Sequence, residues 1–170
     1  NENPAISGCP DDIVANNASG VCEAQVAWPE PTASDNCGVT NLSSNHNPGA
    51  TFPVGTTTVI YTATDAAGNV DSCEFTVTVN DNEAPVLAGC GTDETIFAGA
   101  DNCDTTGFNI TEPTATDNCD DNPTVVTTTQ QIATGVYEVT STATDNVGNQ
   151  SSCSYTCLLY TSPSPRDPKI

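Results

Sequence analysis

The chain has 170 residues and a formal net charge of −20 at pH 7, and all of its acidic residues except Asp167 lie within residues 1–156. Its two basic residues, Arg166 and Lys169, follow that stretch, which excludes electrostatic binding of residues 1–156 to nucleic acid or to an anionic membrane. The nine cysteines include no Cys-x-x-Cys pair and accompany a single histidine, so they favour disulfides in an oxidising, extracellular setting over a zinc site.

The sequence consists of two copies of one segment. NENPAISGCP (1–10) aligns with NEAPVLAGCG (82–91), EPTASDNC (30–37) with EPTATDNC (112–119), and TATDAAGNVDSC (62–73) with TATDNVGNQSSC (142–153). We therefore predict two tandem domains, 1–81 and 82–156, taken from a longer array.

Both copies alternate apolar and polar residues with the period of β-strands. In chain order, the inward-facing positions are predicted to be Val26 and Trp28 in VCEAQVAW (21–28), with Phe108 and Ile110 as counterparts, then Val59, Tyr61 and Ala63, then Phe75, Val77 and Val79. Turn sequences such as Asn-Pro-Gly (47–49) separate the strands. The pattern predicts an all-β chain of two tandem immunoglobulin-like β-sandwich domains arranged end to end.

The motifs CPDDIV (9–14), WPEPTASDNCG (28–38), HNPGATFPVGTTTVIYTATDAAGN (46–69) and CEFTVTVND (73–81) resemble the hyalin repeat, the HYR domain. The second copy keeps TATDNC (114–119) and TATDNVGN (142–149) but lacks the Trp-Pro pair and the His-Asn-Pro-Gly turn. The resemblance implies an immunoglobulin-like sandwich, extracellular tandem arrays, and a role in adhesion or matrix assembly without catalysis.

The spacing of four cysteines in each copy leaves three pairings open. Members of the family with only two cysteines keep the first and the last of these positions. The resemblance therefore implies bridges Cys9–Cys73 and Cys90–Cys153, and it leaves Cys22 to pair with Cys37 and Cys103 with Cys119.

The repeat is lost from Cys157 onward. CLLYTSPSPRD (157–167) resembles a translated transposase-type sequencing adapter, so we predict that residues 157–170 are a non-native, adapter-derived tail. The alternative is a true final strand, because Tyr155, Cys157 and Leu159 continue the alternation of the strand.

The acidic loops are the main candidate site. Calcium prefers carboxylate and carbonyl oxygens, and the linker VNDNEAP (79–85) resembles the calcium-binding linker of cadherins. We predict weak calcium binding by Asp35, Asp65, Asp81 and Glu83; the alternative is that they are Asx-turn residues on a solvated surface. Sequons predict glycosylation at Asn17, Asn41, Asn109 and Asn149.

No catalytic residue is predicted. His46 is alone in a turn sequence, and Trp28 shares the buried face of its strand. We predict an extracellular structural or adhesive segment of a larger secreted or cell-surface array, contributing to a fibre or matrix. Its partners would be neighbouring copies of the repeat, as a homo-polymer, and matrix or surface components, with no nucleic acid and no membrane insertion. The alternative is a non-catalytic spacer or binding module appended to an extracellular enzyme such as a glycan hydrolase.

Overall fold

The computed structural model of the chain describes residues 2–98, 110 and 112–161. The chain divides into two compact units, Asn1–Glu83 and Ala84–Ile170, a boundary two residues beyond the one predicted from the repeat. Every regular element in the described ranges is a β-strand, which confirms the all-β class, and no helix there is long and apolar enough to span a membrane.

The first unit is a two-layered sandwich. A four-stranded sheet has the order β2-β8-β7-β5, and two short antiparallel pairs, β1-β4 and β3-β6, complete the unit. Only the β2–β8 pairing is parallel. The strands are β1 Ala5–Ser7, β2 Ile13–Asn16, β3 Glu23–Val26, β4 Thr32–Ser34, β5 Val39–Ser44, β6 Ala50–Pro53, β7 Gly55–Asp65 and β8 Val70–Asn80.

The core of the first unit lies between its layers and follows the predicted alternation. The inward residues of the two long strands are at most 3% exposed, and they are Val59, Tyr61 and Ala63 of β7 and Phe75, Val77 and Val79 of β8. Neighbouring positions on these strands point toward solvent or the sheet edge, as a pleated strand requires. The immunoglobulin-like sandwich is therefore confirmed.

Trp28 is the centre of this core, as its strand pattern predicted. Its ring packs edge-on against Phe75, with centroids 5.2 Å apart, and at a tilt against Phe52, with centroids 5.9 Å apart. Its indole N–H donates a 2.9 Å hydrogen bond to the Tyr61 hydroxyl. The one polar atom of the indole is thus satisfied while the ring is buried.

The turn before β6 carries Phe52 into the core. Gly49 has a φ of 82°, and the backbone N–H of Ala50 donates to the carbonyl of Asn47, which closes the turn. Phe52 follows three residues after Gly49 and is fully buried. His46 lies in this turn with its ring 5.2 Å from that of Phe52, which agrees with the predicted role of a turn histidine.

The second unit repeats the four-stranded sheet, in the order β10-β14-β13-β12, and a short antiparallel pair β11-β9. β10 pairs in parallel with β14, as β2 does with β8. The strands are β9 Val86–Ala88, β10 Glu94–Ala98, β11 Thr114–Thr116, β12 Thr124–Ala133, β13 Val136–Thr144 and β14 Gln150–Thr161.

The second unit differs from the first between β12 and β13. The two strands form one hairpin, closed at Thr134 and Gly135, and the described residues contain no counterpart of β6. Gly135 has a φ of 70°, and a Cβ there would lie 2.9 Å from the Leu159 carbonyl oxygen, so only glycine fits. The missing strand agrees with the absence of a His-Asn-Pro-Gly turn in the second copy.

Among the described residues, the buried core cluster of the second unit is smaller than that of the first. It consists of Val139, Tyr155 and Cys157, with Tyr137 and Ile110 packed against it. Ile110 therefore faces the core as predicted, whereas Phe108 lies outside the described residues.

β14 continues to Thr161, through part of the segment that we predicted to be an adapter-derived tail. Cys157 is 2% exposed at an inward position, as the alternative of a true final strand expected. Burial first, and then the charge of Glu94, raises the pKa of its thiol. A strand can be built from residues of any origin, so the adapter origin stays a prediction.

The packing of Trp28 gives a test of the first unit. We expect Phe52→Ala to lower its free energy of unfolding by about 3–5 kcal/mol, because a fully buried aromatic side chain is removed. Trp28 is the only tryptophan of the chain, so urea unfolding followed by its fluorescence reports on this unit. Val70→Ala, at a side chain 49% exposed, is the control and should cost less than 1 kcal/mol. Equal losses in the two variants would contradict the assignment.

Candidate functional site

The first strand of each four-stranded sheet is fastened to the last. In the first unit, a disulfide joins Cys9, four residues before β2, to Cys73 in β8, with the Cα atoms 6.2 Å apart. The Asp12 carboxylate accepts a 2.7 Å hydrogen bond from the backbone N–H of Thr76. We call the disulfide, the carboxylate bond and the parallel ladder between the two strands the strand clamp.

The second unit has the same three parts, but its parallel ladder joins β10 to residues 157–161, within the segment that we predict to be adapter-derived. Cys90 is disulfide-bonded to Cys153, with the Cα atoms 6.4 Å apart. The Asp93 carboxylate accepts hydrogen bonds from the backbone N–H and the hydroxyl of Thr156, at 2.7 and 2.8 Å. Both bridges implied by the family resemblance are therefore present in the structure.

The parts of each strand clamp share one register. In the first unit, 64 residues separate Cys9 from Cys73, Asp12 from Thr76, and Ile13 from its ladder partner. In the second unit the corresponding separation is 63 residues throughout. A slip of one residue would break all three parts at once and would turn the inward side chains outward.

Hydrogen bonding lowers the pKa of both clamp carboxyls. For Asp12 the main cause is the backbone N–H of Thr76, and for Asp93 it is the backbone N–H of Thr156. The ionised form is thus the form that holds the strands together. The sequence analysis missed these two residues, although each stands three positions after the first cysteine of its copy, directly before a strand.

The predicted Cys22–Cys37 bridge is wrong. Cys37 is a free, exposed thiol, while Cys22 is disulfide-bonded. Cys22 precedes β3, which pairs with β6, whereas Cys37 lies in a turn between β4 and β5, whose partners are β1 and β7. Their flanking strands thus have no pairing in common that would hold the two cysteines at bonding distance. Cys119 is also disulfide-bonded, but Cys103 lies outside the described residues, so their pairing stays a prediction.

The Asp-x-x-Gly-Asn segment of each copy forms a carboxylate-centred turn. In the first unit, one oxygen of Asp65 accepts the backbone N–H groups of Ala67 and Asn69 at 2.8 Å, and the other accepts the Asn69 side-chain amide at 2.6 Å. Asp65 is only 6% exposed. The Asn69 amide is the largest cause of a lowered pKa at Asp65, and the backbone donors of the turn add to it.

The second unit repeats the turn around Asp145, which is 7% exposed. One oxygen accepts three backbone N–H groups, from Val147, Gly148 and Asn149, and the other accepts the Asn149 amide at 2.8 Å. Burial alone would raise the pKa of Asp145, but these four hydrogen bonds together lower it. Gly148 has a φ of 99°, which explains the glycine in the motif.

The other candidate calcium ligands also accept backbone hydrogen bonds. Asp35 accepts the N–H of Cys37 at 2.8 Å, and Asp81 accepts the N–H of Glu83 at 3.2 Å. Glu83 binds the hydroxyl of Ser19 and the N–H of Gly20. Within the described chain, no three of the four predicted carboxylates bring an oxygen within 4.8 Å of one another. Asp35, Asp65 and Asp81 thus cap local turns, as the alternative expected, whereas Glu83 binds a distant loop. Calcium binding by the four stays a prediction.

The sequons differ in the exposure of their asparagines. Asn17 is 8% exposed, and its amide donates to the Val21 carbonyl, while the amide of Asn149 is held by Asp145. Asn41 lies exposed on β5. Asn109 lies outside the described residues. Among the described sequons, Asn41 is therefore the one whose side chain is presented to solvent, and its glycosylation stays a prediction.

The chain matches the HYR domain family twice, over residues 1–79 and 80–158, and it therefore belongs to that family. It is 40% identical to hyalin of Lytechinus variegatus over 120 residues, covering 67% of this chain and 22% of that protein. It is 36% identical to hyalin of Strongylocentrotus purpuratus over 165 residues, covering 92% and 14%. Membership of this family makes the chain an extracellular repeat segment.

A shorter match joins the chain to the mouse Sushi, von Willebrand factor type A, EGF and pentraxin domain-containing protein 1, at 43% identity over 93 residues, covering 52% of this chain and 3% of that protein. The chain thus spans less than a quarter of the length of each of these relatives. Among solved structures, mouse clustered PcdhgC3 EC1-3 has a TM-score of 0.43 at 13% identity, covering 93% of this chain and 68% of that chain.

The turn carboxylates predict how stability depends on pH. A lowered pKa in the folded state means that Asp65 stabilises the first unit above its unfolded pKa, and that this stability is lost as the pH falls through its folded pKa. We expect Asp65→Asn to lower the unfolding midpoint at pH 7, and we expect this difference from the parent chain to shrink as the pH falls through the folded-state pKa of Asp65. Trp28 fluorescence during heating measures this difference. Asp11→Asn, at an exposed residue, is the control, and identical pH curves for the two variants would contradict the expectation.

Proposed function

We propose that the chain is a tension-bearing segment of an extracellular adhesive array, in which many copies of this repeat form a fibre or matrix. The observation that carries the proposal is the strand clamp, whose disulfide and carboxylate hydrogen bond occur in both units within residues 1–156. Its partners are neighbouring copies of the repeat and components of the matrix or cell surface.

Tension in such an array enters a unit near the first strand of its four-stranded sheet and leaves near the last strand of that sheet. The strand clamp connects these two strands directly, so the force loads the parallel ladder and the disulfide before it reaches the core. The residues between Cys9 and Cys73, which contain most of the sandwich, stay shielded from the load. Each bridge also contributes about 4 kcal/mol to stability on the chain-entropy estimate for loops of this length.

Charge limits the surfaces that can adhere. Residues 1–156 contain no Lys or Arg, so like-charge repulsion opposes contact with acidic glycans or with the acidic faces of other copies. Adhesion therefore uses neutral surfaces of the chain, or cations shared between its carboxylates.

Adhesion can be measured on beads coated with the folded chain. We expect these beads to adhere to a surface coated with the same chain or to cultured cells, and to resist detachment by flow. Beads that carry the fully reduced and alkylated chain are the control, since their strand clamps are open. Equal detachment of the two bead types would contradict an adhesive role and would favour the alternative of a passive spacer beside an enzyme.

Calcium binding by Asp35, Asp65, Asp81 and Glu83 stays a proposal. Their carboxylate oxygens keep lone pairs beyond the N–H groups they accept, and no basic side chain in residues 1–156 neutralises them. On this proposal, millimolar calcium raises the unfolding midpoint more than magnesium does at equal ionic strength, and a chelator reverses the rise. Equal midpoints in calcium and magnesium would contradict it, because diffuse screening does not distinguish the two ions.

A further inference from the structure

β12 is the longest edge strand that the structure describes. It pairs with β13 over nearly its whole length, from Thr124 to Ala133, and no described strand pairs with its other side. Alternate N–H and C=O groups of an edge strand point away from its sheet. Such an edge can accept a further strand.

The features that usually block an edge are missing from β12. It contains no charged residue and no proline, and the uncharged stretch runs from Asn122 to Tyr137. Its exposed side chains include Val126 and Ile132, which are 57% and 51% exposed. The edge is therefore long, neutral and partly apolar.

The corresponding edge of the first unit is protected. β5 is only six residues long and has a register irregularity between Val39 and Asn41. Beyond its end, the Asn45 amide donates to the Thr58 carbonyl and accepts the N–H of Ile60, so this side chain occupies backbone groups of β7. Its exposed Asn41 also belongs to a sequon. Unlike β5, β12 is thus an edge that no other described strand covers.

We propose that β12 is a docking edge for a second copy of this chain. The two β12 strands pair antiparallel about a twofold axis, so that the sheet β10-β14-β13-β12 continues into the second copy. Two copies can meet at β12 because both contribute the same neutral edge, whereas a chain with a net charge of −20 repels its own copies wherever carboxylates meet. β12 brings no like charges together, and its threonines can form cross-strand pairs.

Pairing through one strand buries less surface than the roughly 1,200 Å² of a stable interface, so single copies associate weakly. In an array that carries many copies of this edge, the linked contacts bind together, so the overall affinity is higher than that of a single pair. The inference deepens the proposed function, on which it rests for the presence of many copies. Adhesion to cells through another surface would survive its failure.

Self-association is tested by sedimentation equilibrium of the 170-residue chain, with Cys37 alkylated under native conditions so that no intermolecular disulfide forms. We expect a monomer–dimer equilibrium that strengthens with added salt, as screening weakens the repulsion. Val126→Asp should weaken dimerisation at least tenfold. Val147→Asp is the matched control, since Val147 is also 57% exposed in the same unit but lies in a turn, and it should change dimerisation less than threefold.

Amide hydrogen exchange locates the contact independently of either variant. The peptide covering residues 124–133 should become more protected as the concentration of the parent chain rises, while peptides from β5 should not. A chain that stays monomeric at all concentrations, or equal weakening by the two Asp variants, overturns the proposal. So does concentration-dependent protection that spares β12. Bead adhesion to cells, measured separately, shows whether the wider function fails with it.

Discussion

The attachment of the first strand to the last is the constraint on which both units depend. A parallel pair at the edge of the sheet obliges the intervening chain to cross between the layers and return. The core residues of β3, β6 and β7 therefore lie between the two cysteines of the bridge, and those of β8 follow directly after Cys73. Because the disulfide, the aspartate and the ladder share one separation along the chain, the register is set three times over. Only in that register do the apolar side chains of β8 and β14 face the core, because a slip of one residue would turn them outward.

The features that depend on neighbouring residues in the chain could be predicted from the sequence, and those that depend on which strands become neighbours could not. Val59, Tyr61 and Phe75 were found because strand period and burial coincide in a half-buried sheet. The pairing of Cys22 could not be predicted, since it depends on which strands become neighbours and not on spacing. The β12–β13 hairpin was also missed. Its turn, Thr134-Gly135, is short and stands inside a continuous run of strand-forming residues, so that no local pattern separates one strand from two in advance.

The sequence alone could not decide whether the acidic residues bind calcium or form turns. Aspartate suits calcium, yet it equally suits a turn in which backbone N–H groups converge on one carboxylate. Asp65 and Asp145 show that the second role governs the repeated Asp-x-x-Gly-Asn motif. Between the two units, the disulfide, the carboxylate bond and these turns are kept, while Ile110 stands in the place of Trp28 and β6 has no described counterpart. The sandwich thus tolerates a changed core more readily than a changed clamp.

Single-molecule stretching of the chain, pulled from its two ends with and without reductant, tests the strand clamp most directly. With the bridges intact, unfolding of the first unit should leave the loop between Cys9 and Cys73, which are 64 positions apart in sequence, hidden. Reduction should then add about 22 nm of contour length for that loop, at ~3.5 Å per residue, and nearly the same for the second unit. An oxidised chain that already extends to its full length, or a reduced chain that gains no length, would contradict the account.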